Sequence, residues 1–244
     1  MTQMSRRIIV GALGAAAWLG SGSWAAAQDD NPLIAAEERK MSAEEIKQCQ
    51  EKLHINPKGD RPMLSVHLPP GQTCRPLMKN GFPVPDPSCT PGAVNPTLTI
   101  SVLKNPDFKT GCVRDQATPE GRIAPKPDEK PGPAKVDTYE WYDATKPDDN
   151  SGQQQVCELD HLISLEIGGA DTLDNIWPQC GPANVTLNNR FFKEKDTVEN
   201  YLAWMVRHDQ MDLEAAQKGI ASDWTQFLED AEKKCPKGNC PKDH

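Results

Sequence analysis

Seventeen of the 22 prolines in this 244-residue chain fall between Pro57 and Pro147. Proline fixes φ and lacks an amide hydrogen, so this stretch cannot run as long helices or as central strands. Extended segments and turns remain: Met63 to Leu68 and Leu98 to Leu103 read as short strands, and Pro119 to Pro133 as an exposed loop. Few aliphatic residues are left here to build a separate core, so the stretch needs fastening from elsewhere. Eight cysteines, at 49, 74, 89, 112, 157, 180, 235 and 240, can supply it. None lies in a Cys-x-x-Cys pair, which weakens a zinc-knuckle reading. An even number in an exported chain reads as disulfides, with about 105 pairings open. Closing sequential neighbours gives Cys49–Cys74, Cys89–Cys112, Cys157–Cys180 and Cys235–Cys240.

Export itself is expected from the N-terminus. Arg6 and Arg7 precede an apolar run from Ile8 to Leu19, and Ala25-Ala26-Ala27 supplies the small residues of a cleavage site. A Sec-type signal fits ahead of a twin-arginine one. The apolar run falls short of the about 20 residues that span a bilayer. A periplasmic or secreted product with no membrane span is expected, cut after Ala27. The formal charge of −8 and mean hydropathy of −0.65 exclude a multi-span membrane protein. They also argue against a passive nucleic-acid coat, which holds phosphate with excess Lys and Arg. Four parts are expected along the chain: a signal at 1–27, an N-terminal segment at 28–80, a main domain at 81–234 and a tail at 235–244.

Ser42-Ala43-Glu44-Glu45 is a capping box, and Ile46, Cys49 and Leu53 then recur at helical spacing, which predicts a helix over 42–53. After Asn150 the character changes. Val156 to Leu165 is strand-like, Gly168-Gly169 breaks it, and Asp174 to Pro178 is a second extended piece. Phe191, Val198, Leu202 and Met205 predict a helix over 187–207. Leu213, Ala216, Ile220, Trp224 and Phe227 predict another over 212–232. Strand, turn, strand, helix is the expected order from 155 to 207.

Asp160-His161 lies within the first of these strand-like runs. Aspartate offers a hard oxygen ligand to Mg²⁺ or Mn²⁺, and histidine titrates near neutral pH and can take a proton from water. Asn175 can hold the imidazole through its amide oxygen. The run from Cys157 through Glu158, Asp160, His161 and Glu166 to Gly168-Gly169, followed by Asp174-Asn175-Ile176-Trp177-Pro178, resembles the HNH-type, ββα-metal nucleases. Within these it is most similar to small exported bacterial HNH-like proteins. Pro85 to Val94, Lys195 to Asn200 and Ala221 to Trp224 fit the same group in the same order.

The resemblance implies an α+β fold: a small disulfide-stapled domain with a ββα-metal finger and C-terminal helices. It implies an endonuclease that hydrolyses the phosphodiester bonds of DNA and/or RNA. Asp160 would hold Mg²⁺ or Mn²⁺, His161 would be the general base, and Asn175 would orient it. The third metal position is Asn184 or its rival Asn188, with no His in this region. Lys195 reads either as a cation on the scissile phosphate or as a snorkelling lysine at the helix flank. Glu158 and Glu166 read as salt-bridge or turn residues ahead of second metal ligands. His54, His67 and His208 read as surface residues and Asp148-Asp149-Asn150 as a solvated turn. Trp141-Tyr142 reads as core packing ahead of a base-stacking pair. The competing reading is a catalytically inactive, disulfide-rich binding or structural module of the cell envelope.

Overall fold

The computed structural model describes residues 41–57, 73–114 and 134–242. The expected signal sequence, the Met63–Leu68 strand, the 119–133 loop, His67 and His244 lie outside the described residues. Helix α1, Ala43–Leu53, starts on the expected capping box: Ser42 Oγ accepts from the Glu45 amide and Glu45 Oε2 accepts from the Ser42 amide. It buries Ile46 and Leu53 and stops at His54 in the left-handed region.

Strands β1 (Leu77–Lys79) and β2 (Phe82–Val84) pair antiparallel. Asn80-Gly81 between them takes φ of 50° and 86°, the two left-handed positions of a tight hairpin turn. Pro83 is tolerated because this sheet has only two strands, so each has an open edge.

One expectation for the Pro-rich stretch fails. Leu98 to Leu103 is not a strand, and Ile100–Leu103 is the short helix α2. Asn95 Oδ1 accepts from the Thr97 amide and hydroxyl, bending the chain just before Thr99, whose carbonyl accepts from Val102 and Leu103. Ala134–Trp141 forms helix α3, in a part of the stretch free of proline.

Strands β3 (Cys157–His161) and β4 (Ile176–Cys180) form the second antiparallel pair, in register from Cys157↔Cys180 to His161↔Ile176. Helix α4, Phe191–Arg207, follows. The expected single helix over 212–232 is two, α5 (Leu213–Asp223) and α6 (Leu228–Lys234). Asp223 breaks it by accepting from the Thr225 amide and hydroxyl at 3.0 and 2.6 Å. Val198, Leu202 and Val206 of α4 pack with Ala216, Ile220, Trp224 and Ala231 in the main core, and Val84 of the first hairpin joins them. Smaller cores lie under α1, where Leu53 meets Leu103 and Leu165, and beside β4, where Tyr142 meets Leu162 and Trp177.

Four disulfides are present. Cys157–Cys180 and Cys235–Cys240 pair as sequence order suggests. The other two do not: Cys49 bonds Cys112 and Cys74 bonds Cys89. The reason is α1, which lays Cys49 beside the turn at Thr110–Cys112 and bonds it further through Gln50 Nε2 to the Cys112 carbonyl at 2.9 Å. The result is a small α+β, disulfide-rich fold. Among the described residues no helix is long and apolar enough to cross a membrane.

Candidate functional site: a clasped loop carrying His161

β3 ends at His161 and β4 begins at Ile176, so the residues between them decide what stands beside the imidazole. That connection is buried through most of its length, and buried main chain must find hydrogen-bond partners. Asn175 provides them. Its Nδ2 donates to the carbonyls of Ile163 and Ala170 at 2.9 and 2.8 Å, and its Oδ1 accepts from the amides of Ile163 and Ala93 at 2.9 and 3.4 Å. Gly169 allows the tightest approach. A Cβ there would stand 1.9 Å from the Ile163 carbonyl oxygen, so only glycine fits. The Pro-rich stretch seals the outer side: Gly92 and Asn95 donate to Asp174 and Gly168, and Ala170 donates back to Ala93.

On this frame His161 meets a partner absent from the sequence reading. Its Nε2 lies 2.8 Å from Asp171 Oδ1, with side-chain exposures of 10% and 0%. The contact with Asp171 fixes the orientation of the imidazole ring. Asp171 thus stands where Asn175 was expected, beside the imidazole, while the Asn175 amide is committed to main chain. Asp171 follows Gly168-Gly169-Ala170 with no spacing or motif to mark it.

Lys195 behaves differently from both expectations. It is fully buried on α4, so it neither snorkels to solvent nor faces a phosphate. Its Nζ donates to the His161 carbonyl at 2.7 Å and to Glu199 Oε1, and lies 2.9 Å from Asp160 Oδ2. The Asp160 contact is an ion pair, because Oδ2 has no aligned hydrogen bond among the described residues. Burial works against the ammonium, but Asp160 and Glu199 outweigh it and hold Lys195 charged well above the usual lysine range. Burial raises Asp160 to about 6 against the opposing pull of Lys195. It likewise raises Glu199 to about 7, and Glu158 to about 7 with a further push from Asp196.

Asn184 and Asn188 are exposed and neither hydrogen-bonds to Asp160 or His161. Glu166 keeps a turn contact, its amide donating to Ser164 Oγ. Among the described residues, no three His, Cys, Asp or Glu side chains gather where they could hold a metal ion. The Asp160 carboxylate is already occupied by an ammonium. As arranged, these residues do not fit a divalent cation at Asp160.

Of the remaining expectations, Tyr142 is core, bonding Thr90 Oγ1 at 2.7 Å, and His208 stacks on Trp204. A cavity of about 60 Å³ lies between the first hairpin and α5, lined by Val84, Thr90, Leu162, Ile220 and Trp224 among others. Ligand pockets need about 300 Å³ or more, so this one admits no nucleotide. Family models, curated proteins and solved structures offer no match to this chain.

Proposed function

We propose that the chain is an exported phosphodiester hydrolase acting on DNA and/or RNA, with His161 as general base and Asp171 as the residue that orients it. The observation that carries this reading is the His161–Asp171 pair, 2.8 Å apart, between the end of β3 and a loop whose main chain is bonded by Asn175. A pre-set imidazole is what a water-activating base requires. In the proposed step the imidazole takes a proton from water as the water oxygen attacks phosphorus, the far P–O bond breaks, and the leaving oxygen is protonated from solvent. Four disulfides accord with an oxidising compartment outside the cytoplasm.

One observation favours the competing reading of a non-catalytic envelope module. The charge that would meet a phosphate, Lys195, is buried and held by Asp160, Glu199 and the His161 carbonyl, in a chain of formal charge −8. Incubating purified, disulfide-intact protein with supercoiled plasmid, single-stranded DNA and RNA separates the two. Cleavage that disappears in His161→Ala supports the hydrolase. Absence of cleavage on every substrate leaves the binding module.

A further inference from the structure

We propose that Lys195 stands where a metal ion would otherwise sit, so that the centre carries a built-in cation and takes no divalent ion at Asp160. The inference deepens the hydrolase reading; only its statement about cleavage rests on that reading. Lys195 Nζ has three oxygens around it: the His161 carbonyl and Glu199 Oε1 by hydrogen bonds, and Asp160 Oδ2 by an ion pair. These oxygens come from β3 and from the next turn of α4, so one charge ties the strand that carries the imidazole to the helix behind it. A divalent ion on Asp160 Oδ2 would have to displace a fully buried ammonium from its ion pair, which is unfavourable. Mg²⁺ also keeps several of its waters, whereas the Lys195 and Asp160 side chains are only 0% and 8% exposed.

The test titrates the full mature protein, disulfides intact, with Mn²⁺ alone. Bound metal is followed by electron paramagnetic resonance, and the thermal midpoint is recorded with Mn²⁺, with Mg²⁺ and with EDTA. The expected result is no Mn²⁺ binding that depends on Asp160 and an unchanged midpoint in all three. Mn²⁺ binding to the wild type that Asp160→Asn abolishes overturns the proposal. Lys195→Ala gives a second arm by opening a cavity ringed by the same three oxygens. Mn²⁺ should raise the midpoint of this variant while leaving the wild type unmoved. If the variant does not fold, the wild-type titration against Asp160→Asn still decides. Where cleavage is measurable, EDTA should leave its rate unchanged, and a rate lost to EDTA and restored by Mn²⁺ only when Asp160 is present overturns the proposal. A protein that cleaves nothing would sink the hydrolase reading, while the Mn²⁺ titration would still rule on Lys195.

Discussion

Removing the imidazole and removing its partner should impair cleavage by different routes. His161→Ala deletes the base and should cost about 10²–10⁴-fold in rate. Asp171→Asn keeps the ring but permits the other tautomer, so it should also lose most activity, with a changed pH–rate profile that His161→Ala cannot have. Steady-state rates across pH on both variants check this. Asn175 belongs to a separate class. Asn175→Ala strands the Ile163 amide and the Ile163 and Ala170 carbonyls in a buried loop, at about 1–3 kcal/mol for each group left unsatisfied. Its effect should appear first as a lowered urea midpoint. Gly169→Ala should be similarly damaging, while Gly152→Ala, with nothing within 4 Å of its Cβ but a φ of +52°, should cost much less. Asp160, His161 and Asn175 are legible in the sequence because they fall in one short block of recognisable order. Asp171 is not, since its role depends on how the loop folds back. Lys195 stands out as a charge on an apolar helix face, but periodicity cannot reveal that three oxygens converge on it.

At the scale of elements, β3 and α4 press two carboxyl groups onto one ammonium and bury a third, Glu158, nearby, and this has a sign in pH. Burial holds Asp160 at about 6 and Glu158 and Glu199 at about 7, above the roughly 4 of an unfolded chain. Between about pH 4 and 7 the folded state therefore keeps protons that the unfolded state has released, and stability falls as pH rises through that window. Lys195 stays charged throughout it. The unfolding midpoint in urea should be higher at pH 5 than at pH 8. The difference should shrink when Glu158 and Glu199 are both changed to Gln, and a midpoint that rises with pH would contradict the assignment. Helices α1 and α4 are legible because capping and apolar spacing act locally. The first hairpin was signalled by Asn80-Gly81 but hidden by surrounding prolines. The split between α5 and α6 was hidden because the apolar stripe runs unbroken across it while Asp223 caps a new turn.

For the whole molecule, the disulfides should rank by the loop each closes. Chain-entropy arguments give about 4 kcal/mol for the 63-residue separation of Cys49–Cys112 and about 2 kcal/mol for the 5-residue separation of Cys235–Cys240. Paired Cys→Ser variants compared by chemical denaturation should follow that order. The pairing of Cys49 was not legible because it depends on a helix docking onto a turn distant in sequence. The same four bonds divide the chain. Two of them lie at or before Cys112 and two at or after Cys157, so no cross-link joins the halves. Gly92 to Asn95 of the first half nevertheless seal the loop beside His161 through hydrogen bonds. A chain cut between Val113 and Val156 would become two separately stapled polypeptides with the centre at their seam. Such fragments, produced apart and mixed, would make a complementation pair, the second bringing His161 and Asp171 and the first completing the wall around them.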